Sequence, residues 1–540
     1  MTDRLNERLI NDLRRLVSEL GTSGGAFSAS IYDTAQVLRL APPSSGAQPA
    51  LEWLFEQQHE DGGWGNPAFP RARDVSSLAA VLAIYTLDRS PRGCKAVEDG
   101  LSFLRRQASL WEGPLPDDLP VGVELLLPAL LQEAAELGLD LPLAHYSSLI
   151  ELGRKRRRMV AAMQPRGANP AVHSWETWGV DENPALLDSY GSIGHSPAAT
   201  AAWLRMTAHR EDLAPQRAAA RRYLDRASES IGKVTGESIP GVVPTAWPIN
   251  RFEQSFALYA VLAAGLLDHP ALQDVLKKQI ADMARAMRPI GVGFSDEFET
   301  DGDDTVAAMA VMHAAGYVVD RSMHLRFMPH RDSDYYIGYI GELQPSISVT
   351  AHAIHLMELL GQDTSAFQQM IVEKQLADGR WLGDKWNCSW LYTTSQVLVA
   401  MAGGKHSDAL KRAAELIVRE QRADGSWGTR DSNLEEAAYA VIALRAVQDE
   451  SWFGAEARAA LERGERWMRQ RYNGDMSNCG MLWIAKESYR PLRIARMFEL
   501  VAMLPAQPST GVAATRNVSI RTLVPMQHEY ATVARVSAGQ

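Results

Sequence analysis

A short pattern that recurs along the chain limits its architecture more than any bulk property does. Gln58-His-Glu-Asp61-Gly62-Gly-Trp64-Gly65, Gln375-Leu-Ala-Asp378-Gly379-Arg-Trp381 and Gln421-Arg-Ala-Asp424-Gly425-Ser-Trp427-Gly428 share the form Q-x-x-D-G-x-W. The last two copies are offset by 46 residues (424 − 378), which fits one helix hairpin per repeat. An Asp-Gly pair ends a helix in a tight turn. The glutamine then has exposed backbone groups to bond, and the tryptophan has the next helix to pack on. Units of this kind join the outer helices of an α/α barrel, so the repeats specify architecture rather than chemistry.

The rest of the chain agrees with an all-α fold. Val81 to Leu87, Ala198 to Met206, Gln254 to Leu267, Thr305 to Ala315 and Glu435 to Val447 are alanine-rich and apolar at helical spacing. Alternating β-type segments are scarce, and glycine, proline and aspartate gather between the helices. The periodicity is lost from about Ala506, which predicts an extended or partly disordered tail over 506–540. With 540 residues the chain is too long for one ordinary core, and two large domains are expected. The first residues, MTDRLNERLINDLRRLVSELG, are charged throughout and predict an amphipathic helix rather than a signal peptide. No apolar run approaches the ~20 residues that span a bilayer, so integral membrane association is not expected. A net charge of −10 argues against nucleic-acid binding. The three cysteines, Cys94, Cys388 and Cys479, form neither a CxxC pair nor a zinc spacing, which fits a cytoplasmic protein.

P-loop, HExxH and strand-borne GxGxxG motifs are missing from the sequence. Gly21-Thr-Ser23-Gly-Gly25 matches G-x-S-x-G, but it follows a helix and not a strand. Arg154-Lys-Arg-Arg-Arg158 reads as a solvated helix face or as a lure for an anionic substrate. The informative residues are Thr300-Asp301-Gly302-Asp303-Asp304-Thr305, directly before an apolar helix. One aspartate suffices to cap that helix, whereas three in four residues repel one another. Crowded carboxylates cannot all ionise, so one keeps its proton near neutral pH. Such a group can protonate a very weak base such as an alkene, with its neighbours orienting the proton. Capping alone remains the other reading. If the cluster is catalytic, Asp303 is the acid, and Asp301 and Asp304 support it.

D-x-D-D-T together with the Q-x-x-D-G-x-W repeats resembles the class II terpene cyclases, which include copalyl diphosphate synthases and, more distantly, squalene–hopene cyclases. Further blocks match in order. Ile31-Tyr32-Asp33-Thr34-Ala35 is similar to Y-D-T-A-W, and Leu119-Pro-Val-Gly-Val-Glu124 to M-P-x-G-F-E. His173-Ser174-Trp175-Glu176 is similar to L-H-S-x-E, Ser196-Pro-Ala-Ala-Thr200 to S-P-x-A-T, and Val243-Pro-Thr-Ala-Trp-Pro248 with Phe252-Glu253 to V-P-N-x-Y-P-x-x-x-F-E. Asp384-Lys385-Trp386 and Trp483-Ile-Ala-Lys486 resemble two later blocks.

The resemblance implies two α/α-barrel domains, called β and γ. The expected division is residues 1–37 as a helix of the β domain, 38–260 as an inserted γ-like barrel, 261–505 as the β-like barrel with the acidic motif, and 506–540 as the tail. It implies a linear prenyl diphosphate as substrate, cyclised by protonation with the diphosphate retained. It also implies magnesium, assisting diphosphate binding through an acidic segment. Glu112, Asp117, Asp118 and Glu124 are the candidates, with Gly113 in the place of one family acid. Lys385 and Lys486 are the candidates for touching the diphosphate. His173, Trp175 and Trp247 are expected at the substrate, and Trp178 and Phe294 are further candidates for the cavity wall. Thr245 stands where ent-copalyl enzymes carry the asparagine that, with the histidine at 173, positions a final water. This points away from an ent-copalyl product and toward farnesyl diphosphate giving drimenyl diphosphate. Geranylgeranyl diphosphate giving a copalyl or halimadienyl type is the alternative. A phosphatase or a class I synthase is the expected consumer of the product. An α/α-barrel glycosidase, using paired carboxylates, and a helical-repeat binding scaffold are the readings from other classes.

Overall fold

A computed structural model describes residues 2–505 apart from 116–118, 164–166, 341, 343–344, 385 and 473–479. The expected tail, Asp117, Asp118, Lys385 and Cys479 lie outside the described residues. Among those described, strand is confined to Trp483–Ile484 and Ser488–Tyr489, an antiparallel pair with Trp483 opposite Tyr489.

Helices that are apolar on every side must be surrounded by other helices, and they close into a ring here. Asn250–Ala263 packs on Gly302–Ala314, then follow Ile347–Leu359, Trp390–Met401, Leu434–Ala446 and Leu492–Met503, which returns to the first. Ten consecutive residues of this ring, from Asp304 to His313, read DTVAAMAVMH, and all but the last are buried. Amphipathic helices sit outside it. Ser407–Arg419 buries Ala409, Leu410, Ala413, Ala414, Leu416 and Ile417 and exposes its charges. Thr2–Glu19 packs on Gln273–Ala286 and Leu492–Met503, so the start of the chain belongs to this six-helix ring. A second ring runs through Ile31–Leu40, Arg73–Leu87, Val123–Glu136, the 3-10 segment Pro170–Thr177 and Pro197–Met206, which packs back on Ile31–Leu40. The fold is therefore all-α with two α/α barrels. The boundaries expected at 37 and 260 fall inside helices Ile31–Leu40 and Asn250–Ala263. The first of these packs in the second ring, and the other packs in the six-helix ring.

The repeats act as anticipated, with one addition. Gln58 Nε2 donates to Gly62 O at 2.9 Å and Ala96 O at 3.0 Å. Gln375 donates to Gly379 O and Ala409 O, each at 2.8 Å, and Gln421 to Gly425 O at 3.0 Å and Ala460 O at 2.8 Å. Each glutamine thus staples its turn to the next outer helix. The turn glycines have φ of 87°, 104° and 95°, where a side chain is strained. The addition is the indole. Trp64, Trp381 and Trp427 donate Nε1–H to Leu54 O, Ile371 O and Ile417 O at 2.7–2.8 Å, satisfying a carbonyl near the end of the preceding helix.

The strand pair lies between the rings. Trp483 and Tyr489 join the core of the six-helix ring. Lys486 reaches the other way, to Asp33 Oδ1 at 3.2 Å, Glu176 Oε1 at 2.8 Å and Ser196 Oγ at 2.6 Å. Glu487 beside it accepts from Tyr32 N at 3.2 Å and from Ser76 Oγ.

Candidate active site

The acidic cluster opens helix Gly302–Ala314 of the six-helix ring, and the structure assigns its members different surroundings. Asp301 is the N-cap, accepting from Asp304 N at 2.7 Å through Oδ1, so capping takes one aspartate as expected. Its Oδ2 is buried without a hydrogen-bond partner. Burial, then the charge of Asp304, pushes its carboxyl well up. Burial also raises Asp304, to about 7, against a lowering hydrogen bond from Ser255 Oγ. Gly302 between them is obligatory for a different reason. A Cβ there would stand 2.3 Å from Ile337 O, in a crossing where Gly302 N already donates to Gly338 O at 2.6 Å.

Asp303 is the open member, with 13% of its side chain exposed. Its Oδ1 meets His352 Nδ1 at 2.5 Å, on the adjacent helix Ile347–Leu359. His352 Nε2 in turn meets Gln396 Oε1 at 3.0 Å, on helix Trp390–Met401. A carbonyl oxygen only accepts, so Nε2 carries a proton and the ring orientation is fixed. Burial would lower the His352 pKa; the Asp303 carboxylate and the Gln396 bond outweigh it, and the net shift is upward. One hydrogen-bonded line thus crosses three neighbouring helices of the ring, and Ser255 on Asp304 adds a fourth.

Aromatic rings surround this line. Phe256 meets His352 edge-on at 5.8 Å and Trp483 at 5.7 Å. Tyr259 stands 4.5 Å from the His352 ring, and its hydroxyl shares a hydrogen bond with His355 Nδ1 at 2.9 Å. Tyr392 contacts Trp483 at 5.1 Å and Tyr439 at 5.2 Å. The hydroxyls of Tyr259 and Tyr392 are raised first by burial and then by the charge of Asp303, which puts both in its field.

None of these partners was anticipated from the sequence. The available signal was His352, His355 and Gln396 on helices made mostly of apolar and small residues, because a buried polar group there needs a partner.

The aromatic residues expected at the substrate pack as follows. Trp175 is buried in the core of the second ring, its indole against Gly179. Trp247 belongs to that same core, donates Nε1–H to Ser23 O at 3.0 Å and carries the Arg226 guanidinium over its ring at 4.9 Å. Trp178 donates to Ala171 O at 3.2 Å. Phe294 stacks on Phe298 at 3.7 Å and packs at the edge of the first core. Trp178 and Trp247 thus give their N–H groups to backbone carbonyls, and the rings beside His352 come from the first barrel.

His173 donates Nδ1–H to Gly194 O at 2.8 Å, leaving Nε2 unprotonated; burial and then the charge of Lys486 hold its pKa down, at about 3. Thr245 is fully buried, with no hydrogen-bond partner on its hydroxyl. Lys486, expected at a diphosphate, is instead buried between two carboxylates that already balance its charge.

Of the four magnesium candidates, Glu112 and Glu124 are described, and each faces a basic side chain. Glu112 is exposed and pairs with His145 Nδ1 at 3.0 Å, and Glu124 faces Arg156 Nε at 3.7 Å. Among the described residues no group of three or more His, Cys, Asp or Glu side chains is arranged to hold a metal ion. No described helix is long and apolar enough to cross a membrane.

The buried carboxyls of the cluster make stability depend on pH. An unfolded aspartate titrates near 3.9, and folded Asp304 at about 7. Between those values the folded state keeps a proton that the unfolded state has released. This contribution is therefore full below about pH 4 and is lost as pH rises through about 7. Asp304→Asn flattens the change in unfolding free energy between pH 4.5 and 7.5 by on the order of 1–3 kcal/mol, read by urea titration at each pH. Equal slopes in parent and variant refute the assignment.

Comparisons with known proteins agree with this architecture. Residues 315–476 match the squalene-hopene cyclase C-terminal domain. The chain is 46% identical to a (+)-kolavenyl diphosphate synthase of Herpetosiphon aurantiacus over 518 residues, which is 92% of this chain and 97% of that one. It is 30% identical to an ent-copalyl diphosphate synthase of a Streptomyces species, over 89% of this chain and 93% of that one. The solved ent-copalyl diphosphate synthase of Streptomyces platensis superposes with a TM-score of 0.73 at 28% identity, covering 93% of this chain and 99% of that one. The chain belongs to the class II terpene cyclases.

Proposed function

We propose that the enzyme cyclises geranylgeranyl diphosphate to a bicyclic diterpenyl diphosphate, with Asp303 as the acid. The observation that carries this reading is the line Asp303–His352–Gln396, which ends on the open carboxyl beside an aromatic wall. His352 Nδ1–H occupies Oδ1 as a donor, so it is Oδ2 that carries the transferable proton when the carboxyl is loaded. The terminal alkene takes that proton with its π pair, the O–H pair stays on Oδ2, and the new tertiary cation is captured by the next double bonds. His352 stabilises the carboxylate left behind. Ring faces such as Phe256 and Trp483 attract the moving charge. Loss of a proton from carbon ends the sequence, so the product is an isomer with its diphosphate intact, available to a phosphatase or to a synthase that ionises it.

The missing asparagine at Thr245 favoured farnesyl diphosphate. Kolavenyl and copalyl diphosphates, which name the relatives, are both diterpenyl compounds and favour the longer chain instead. Thr245 still argues against an ent-copalyl product.

Purified enzyme given each diphosphate separately, with and without magnesium, then phosphatase and gas chromatography–mass spectrometry, separates these readings. A bicyclic diterpenol released only by phosphatase is expected, with farnesyl diphosphate at least about tenfold poorer in kcat/KM. A drimane alcohol formed faster from farnesyl diphosphate restores the shorter substrate, and linear alcohols from both refute the proposal.

A further inference from the structure

The aromatic wall has a charged support behind it. Trp483 touches Phe252, Phe256 and Tyr392 with ring centroids at 5.8, 5.7 and 5.1 Å. Its Nε1–H donates to Glu435 Oε1 at 2.9 Å, and Tyr439 OH donates to the same oxygen at 2.6 Å. Glu435 is fully buried in the first turn of helix Leu434–Ala446. Its other oxygen has the Arg490 Nε at 3.8 Å in place of a hydrogen bond.

A buried carboxylate is costly, and apolar residues of similar volume are often at least as stable in its place. Both hydrogen-bond donors to this carboxylate are aromatic side chains. One ring further on, Phe256 reaches His352 and so Asp303. A carboxylate that accepts from an indole N–H or a phenol O–H drives negative charge into that ring, and a richer ring face holds a cation more strongly. The two donors also lock both side-chain orientations against rotation.

Resting on the acid assignment made above, we propose that Glu435 is a positioning residue of the cyclisation. Acting through Trp483 and Tyr439, it orients and enriches the aromatic wall that holds the carbocation between protonation and the final proton loss.

The test uses the full chain, geranylgeranyl diphosphate, kcat and KM, the product spectrum after phosphatase, and thermal melting. Burial raises the Glu435 carboxyl to about 7, so the assays are run above that pH, where it is charged. Glu435→Gln keeps shape and an acceptor oxygen but removes the charge; Trp483→Phe keeps an aromatic face but removes the N–H. Each is expected to lower kcat about tenfold with KM within about twofold, and to raise the share of monocyclic products released early. Because both remove one shared interaction, the double variant should fall no more than about twofold below Trp483→Phe. A parent product spectrum and kcat in either folded variant overturns the proposal. So does additive loss in the double variant. Should Glu435→Gln fail to fold, Tyr439→Phe, which removes the other donor to Glu435 and leaves the Phe256 and Trp483 faces in place, decides instead. If the parent enzyme leaves geranylgeranyl diphosphate linear, the fault lies with the substrate reading instead, so the two failures are told apart.

Discussion

Asp303→Asn stops cyclisation, lowering kcat by at least about a thousandfold, while circular dichroism and melting temperature stay near the parent values. Asparagine has nearly the same shape and can still accept from His352 through its amide oxygen, but it has no carboxyl proton to give. Fold stability should change little because the residue is the open member of the cluster and neither caps the helix nor fills the core. Asp301→Asn is the instructive companion. Asparagine is as good an N-cap as aspartate, so a smaller kinetic loss is expected there. Were Asp301→Asn the more damaging change, the acid would have to be Asp301, and the His352 line would lose its role.

Lys486→Met is expected to destabilise the folded chain by about 3–5 kcal/mol, read by urea denaturation. The substitution keeps the apolar stem and removes the ammonium, leaving Asp33 and Glu176 buried together without their cation. Asp33 is already raised to about 6 by burial, with Lys486 the main opposing influence. Adding Asp33→Asn and Glu176→Gln to the variant should recover a good part of the loss, since those changes remove the stranded charges. A destabilisation below about 1 kcal/mol, accompanied by a large rise in KM, would return the lysine to the diphosphate role expected from its motif.

The two predictions draw on residues of very different legibility. The repeats announced barrel architecture because a turn glycine, a staple glutamine and a buried tryptophan are local requirements written within seven consecutive residues. Asp301, Asp303 and Asp304 were legible for the same reason: three acids before an apolar helix are anomalous on their own. His352 and Gln396 were hidden because their meaning lies in which helices become neighbours, and ring closure is not a property of any one segment. The aromatic candidates divide likewise between the two barrels. Trp175 and Trp247 stand in motif blocks, but those blocks build the second barrel, while the wall beside Asp303 is supplied by Phe256, Tyr259, Tyr392 and Trp483. Lys486 is a third case. Its motif was recognisable, but the pair of carboxylates it faces is contributed from residues more than 300 positions upstream.

The closure of the six-helix ring by Leu492–Met503 against Asn250–Ala263 also sets an order in time. During synthesis the helices of the second barrel emerge together and can close before the last stave of the first exists. The first barrel waits for that stave, and with it for the strand pair that brings Trp483. A nascent chain therefore acquires its scaffold early and its aromatic wall late, so a product of premature termination upstream of Trp483 holds a complete second barrel and an acid with no finished chamber around it.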